Sequence, residues 1–104
     1  MAASERRARV TRGRARALPH VRHAAYRLAP DLLLVFKPRG HREATHAHPY
    51  RQRLQVLRGT LVVHVGRRRV TLTPTGRHLT LRAGRVHDTL ALRDTWVLAQ
   101  SLPA

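Results

Sequence analysis

The sequence predicts an all-β protein, a small antiparallel sandwich or barrel. From Asp31 onward, short apolar runs of strand length recur about every ten residues, separated by turn-forming Gly and Pro. No segment shows the apolar periodicity of an amphipathic helix. Length agrees, because 104 residues make one domain with a modest core and no room for a second.

The elements follow in order. Leu32–Phe36 reads as a strand, ended by Pro38 and Gly40. His46–Tyr50 alternates, and Leu54–Leu57 continues the pattern to Gly59. Leu61–Val65 is the next strand; Gly66 opens a tight turn, and Val70–Leu72 returns as the hairpin partner. Pro74 and Gly76 mark another turn before Leu79–Leu81, and after Gly84 come Val86–Leu92 and Trp96–Leu102. Residues 1–30 differ, with eight arginines against one glutamate and apolar residues that are mostly alanine. Residues 1–22 therefore read as a basic, flexible N-terminal arm and 23–104 as the β domain. Long β edges point to pairing between two copies of the chain.

Composition narrows the function. Cysteine is absent, so there is no disulfide framework, thiolate metal site or cysteine nucleophile. The longest apolar run, Leu32–Phe36, falls far short of the roughly 18 residues of a membrane span. With no apolar signal segment either, the expected location is cytoplasmic, without membrane partners. The net charge is +16, and twenty of the twenty-one basic residues are arginine; Lys37 is the single lysine, while Ile and Asn are missing. A GC-rich coding sequence accounts for arginine over lysine, but not for the presence of only five acids. Such a surface attracts phosphates, anionic lipids or anionic metabolites in a salt-dependent way. Arg6, Arg7, Arg9, Arg12, Arg14 and Arg16 offer non-specific nucleic-acid contact. Sequence-specific reading is not expected, since the chain has four aromatic residues and no basic helix. Phosphate-loop and nucleophile-elbow motifs are missing, as is a pair of acids placed for acid–base work.

His46 and His48 stand one residue apart. In a continuous strand, such residues share a face about 7 Å apart. Tyr50, Gln52, Leu54 and Val56 would follow them inward, while Arg51, Arg53 and Gln55 face out. That distribution describes a barrel with a polar mouth. The His-x-His pair alone leaves a metal site and two solvated histidines both open.

The wider spacing carries more. Gly40, five residues, His46, one residue, His48, three residues, Gln52, six residues and Gly59 resemble the first cupin motif, with Gln52 at its glutamate. Sixteen residues later, Gly76, five residues, Arg82-Ala83-Gly84, two residues, His87, three residues and Ala91 resemble the second. Arg82 and Ala91 stand where that motif has Pro and Asn. The resemblance covers residues 30–102 and implies a cupin: a small antiparallel β-barrel of jelly-roll type, as a homodimer. It implies a metal held by His46, His48 and His87, with Gln52 as weak ligand or water-orienting neighbour. Imidazole donors suit Fe, Ni, Cu, Zn and, less tightly, Mn. Three neutral histidines leave the charge of a divalent ion uncompensated, which favours a small anionic or chelating metabolite. Two outcomes stay open. One is an enzyme, a dioxygenase, isomerase or lyase using metal-polarised oxygen, with Tyr50 as a rim donor. The other is a non-catalytic or metal-free cupin that binds its ligand, the arm adding non-specific nucleic-acid or anion contact.

Other residues get plainer readings. Glu43 reads as a loop acid paired with Arg42 or Arg39, the alternative being that it supplies the missing carboxylate. His64 falls on the outward face, and His20, His23, His41 and His78 carry no role. Arg67-Arg68-Arg69 reads as solvated charge at a turn.

Overall fold

In the computed structural model, which describes residues 22–103 and the short strand Arg16–Ala17, with side chains from Ala24 onward, every regular element is a strand. The strands are β1 (Arg16–Ala17), β2 (Arg22–Ala29), β3 (Leu32–Lys37), β4 (Arg42–His46), β5 (Arg51–Arg58), β6 (Leu61–Val65), β7 (Arg68–Leu72), β8 (Leu79–Leu81), β9 (His87–Ala91) and β10 (Thr95–Leu102). Two antiparallel sheets result, one ordered β1-β2-β3-β10-β5-β8 and the other β4-β9-β6-β7. The expected all-β architecture is the observed one. No helix among the described residues is long and apolar enough to cross a membrane. Most of the arm expected over 1–22 lies outside the described residues, including Arg6, Arg7, Arg9, Arg12 and Arg14.

Alternation builds the core between the sheets. Val35 on β3, Leu54 and Val56 on β5, and Val97 and Ala99 on β10 face Leu61, Val63 and Val65 on β6 and Ala91 on β9; all are buried. Each buried Val or Leu stabilises the fold by about 1.5–3 kcal/mol relative to exposure.

Two expectations need correction. The strand β2 was not expected, because Ala24, Ala25 and Ala29 give a weak apolar signal; it forms by pairing with β3, Tyr26 opposite Leu34. The alternating strand expected from His46 to Tyr50 also breaks. Strand β4 ends at His46, and residues 47–50 carry the chain from the four-stranded to the six-stranded sheet. Pro49 lacks an N–H for the ladder and restricts His48 before it, so the crossing falls there.

The outer face of the six-stranded sheet is apolar too. Trp96 pairs with Phe36 and Leu98 with Leu34, and the Trp96 ring lies 4.9 Å from Phe36 and 6.4 Å from Tyr26. Three of the chain's four aromatic residues thus sit on this face and not in the core.

The turn from β5 to β6 is locked against the start of β10. Gly59 has φ +94°, and a Cβ there would run into the Asp94 carbonyl and the Thr95 Cα at 2.7 Å. Thr95 is fully buried; its hydroxyl accepts the Thr60 N–H at 3.1 Å and lies 2.7 Å from the Arg93 carbonyl, to which it can donate. Thr95→Val keeps the shape and strands the Thr60 N–H. Urea denaturation should show a loss of about 1–3 kcal/mol.

Candidate metal centre

The site begins with a mismatch in length between two strands. Glu43 pairs with Thr89 and His46 with His87, so β4 advances three residues where β9 advances two. The extra residue is a β-bulge. Strand side chains alternate faces, so residues three apart should point oppositely. The bulge cancels that alternation and turns both Glu43 and His46 into the space between the sheets. His46 is fixed there by donating from Nδ1 to the Ala44 carbonyl at 2.7 Å, within the bulge itself.

The second histidine comes from the crossing and the third from β9. The His48 carbonyl accepts the Gly84 N–H at 2.7 Å, which ties the crossing to the turn before β9. His87, buried at the start of β9, donates from Nδ1 to the Arg85 carbonyl of that turn at 3.0 Å. The three rings converge, with centroids 4.4 Å (His46–His87), 4.7 Å (His46–His48) and 5.4 Å (His48–His87) apart.

The donor chemistry suits a cation. A carbonyl only accepts, so Nδ1 of His46 and of His87 carries a proton, and in the neutral ring the lone pair lies on Nε2. One ligand nitrogen from each ring lies within 4.8 Å of the others. Nitrogens bound to one ion at about 2.1 Å lie roughly 3–4 Å apart, so a small rotation of the rings closes the set. Burial holds His48 neutral, lowering its pKa to about 4, and the neighbouring His46 and His87 would repel its charge further. His87 is lowered mainly by burial, opposed by its bond to the Arg85 carbonyl. Neutral imidazoles are what a metal requires.

The expected neighbours are present. Gln52 on β5 lines the same cavity as the three histidines. Tyr50 stacks on His48 at 4.9 Å, its hydroxyl 3.2 Å from His48 Nδ1, and burial raises its pKa. Leu54 and Val56 are buried as expected, because the crossing keeps the inward alternation from Tyr50 on. His64 points outward and bonds Asp88 at 2.8 Å.

Glu43 departs from its expected pairing with Arg42 or Arg39. The bulge turns it inward, where its Oε1 lies 2.6 Å from Lys37 Nζ and its Oε2 4.0 Å from His46 Nε2. Lys37 is the site residue that sequence reasoning missed. It is 6% exposed, on the inward face of β3, and lines the cavity with the histidines. One signal could have found it: it is the single lysine among twenty arginines. His41, assigned no role, is buried near Lys37 and Glu43, with its pKa lowered by burial and then by the Lys37 charge.

The chain matches no family model and no curated protein by sequence. Its fold matches solved structures. An RmlC-like cupin from Shewanella frigidimarina is 18% identical over 89% of this chain and 86% of that one, with a TM-score of 0.64. The chain has the cupin fold. A cupin superfamily protein from Desulfitobacterium hafniense gives 16% identity, coverage of 85% and 81%, and a TM-score of 0.64. KdgF from a Halomonas species gives 23% identity, coverage of 88% and 88%, and a TM-score of 0.67. In this chain the stretch that resembles the first cupin motif spans β4, the crossing and β5, and the one that resembles the second spans β8 and β9. The two motifs meet at the histidines.

Tyr50 orients His48 through its hydroxyl while its ring packs against the imidazole. Tyr50→Phe keeps the packing and removes the hydrogen bond. Competition titration with zinc should show affinity falling roughly tenfold or more, with unfolding little changed.

Proposed function

We propose that this cupin binds or turns over a small anionic metabolite at a divalent transition metal held by His46, His48 and His87. Gln52 serves as a weak oxygen ligand or orients a water. The observation that carries this reading is the convergence of three imidazoles, two of them donating from Nδ1 to backbone carbonyls and so turning Nε2 to the site. All four donors are uncharged, so the site favours a ligand bringing negative charge or two oxygens.

When bound, the metal supplies Lewis-acid polarisation of a ligand oxygen, the chemistry common to cupin-type dioxygenases, isomerases and lyases. The chain's own residues set the conditions for it. The apolar walls from Leu33, Val35, Leu54 and Val97 keep bulk water out and strengthen electrostatics inside. Tyr50 stays protonated because burial disfavours the phenolate, so it can hold His48 or donate to a ligand at the rim. Cupin folds host unrelated chemistries, so the reading rests on the donor set and not on the fold.

The outer face of the six-stranded sheet supports a homodimer, which we propose acts in the cytoplasm. Tyr26, Leu34, Phe36, Trp96 and Leu98 make an apolar surface of the kind that monomers seldom leave open. A second copy presenting the same face would cover it with two-fold symmetry. Sedimentation should give twice the chain mass for the wild type and the single-chain mass for Trp96→Arg.

Metal content per chain, by mass spectrometry on untagged protein, tests the central reading. About one equivalent is expected in the wild type and a small fraction of that in His48→Ala. A wild type left empty after incubation with Fe, Mn, Ni, Zn and Cu would overturn it.

A further inference from the structure

We propose that Lys37 is the anchor for a carboxylate on the ligand, and that Glu43 is a displaceable internal stand-in for that carboxylate. The anchor stands on the Lys37–Glu43 geometry; only the ligand's second contact, with the metal, rests on the function proposed above.

Among the described residues, the cavity walls carry one basic side chain besides the histidines, Lys37, and one carboxylate, Glu43. Burying an ammonium group is unfavourable, and a pair kept only for stability is often replaced by apolar residues without loss. Here the pair opens onto a cavity of about 160 Å³ shared with the histidines. An ion pair facing an open cavity has somewhere to pass its charge.

The two partners are held differently. The Lys37 side chain is 7% exposed and that of Glu43 is 37% exposed. Glu43 can therefore swing toward solvent and be rehydrated, whereas Lys37 stays inside. The Thr89 hydroxyl, 3.4 Å from the ammonium, is neutral. When Glu43 leaves, the ammonium needs another anion.

Glu43 also shows the shape of the group that fits. One of its oxygens lies 2.6 Å from Lys37 Nζ, and the other reaches 4.0 Å from His46 Nε2. A single carboxylate thus nearly bridges the anchor and the ligating nitrogens. A carboxylate with an adjacent hydroxyl, keto or second carboxylate oxygen would complete the bridge, its charge on Lys37 and its second oxygen toward the histidines. The remainder of the ligand would lie against Leu33, Val35, Leu54, Val97 and Ala99 and is therefore apolar. The cavity measures about 160 Å³, so the ligand is small.

The test uses lactate, and its uncharged amide lactamide, titrated into zinc-loaded protein and followed by NMR. Lys37→Met should weaken lactate at least tenfold and leave lactamide unchanged. Glu43→Gln removes the internal competitor and should tighten lactate at least threefold, with zinc content at the wild-type level. Unchanged lactate affinity in Lys37→Met, or weaker lactate or lost zinc in Glu43→Gln, would overturn the proposal; lost zinc would make Glu43 a metal ligand instead. Should Lys37→Met misfold, the Lys37→Met/Glu43→Gln double variant leaves no unpaired carboxylate and replaces it in the same comparison. If the wild type takes up no zinc, the metal reading fails by itself. Metal-free protein then decides the anchor: lactate bound in preference to lactamide and lost in Lys37→Met supports it, and no preference overturns it.

Discussion

Between Glu43 and His46, β4 carries one residue more than β9 opposite it, and the site follows from that bulge. A regular strand would send one of these side chains to solvent. With the bulge, His46 lands beside His87 while Glu43 reaches Lys37. The irregular backbone is also productive, since the Ala44 carbonyl that fixes the His46 tautomer lies within the bulge. Bulges beside functional sites commonly re-aim a side chain in this way.

A second tie works across the sheets. The turn before β9 accepts a hydrogen bond from the His87 ring at the Arg85 carbonyl and donates one from the Gly84 N–H to the His48 carbonyl. Two histidines from different elements are thus positioned by adjacent residues of one turn. Gly84 adopts φ +78°, a left-handed conformation that costs glycine little. The glycine and histidine spacing of the second motif is therefore the spacing of a turn that orients the His87 ring and ties down the His48 backbone.

Much of this was legible in the sequence, for physical reasons. Strands β6 and β8 announce themselves because their inward residues are apolar and glycines lie on either side. His46, His48 and His87 were identified by spacing, though the single strand assumed for the first two does not exist. Their common direction survives because the crossing at Pro49 replaces one way of facing inward with another. Three features were not legible. The alanines of β2 bury too little surface to mark a strand until β3 is beside them. A bulge leaves no mark in one sequence, so Glu43 appeared to be an acid free to pair with adjacent arginines. Lys37 ends a run of apolar residues, and only the pairing of β3 with β10 shows that it faces inward with Val35.

The chain's charge is arranged consistently with this interior. Arg67, Arg68, Arg69, Arg77, Arg82 and Arg85 are exposed, whereas the basic residue inside is the lysine. The two side chains differ in ways that fit these places. A guanidinium presents a rigid planar fork of five donors, hard to satisfy in a small apolar space, whereas an ammonium is compact and sits on a flexible stem. An arginine-rich exterior attracts anions from solution without selecting among them. The interior differs from that surface: its cavity brings together Lys37, three imidazoles and apolar walls. Salt screens the exposed arginines far more than the buried Lys37, because charges in water are screened and buried ones much less so.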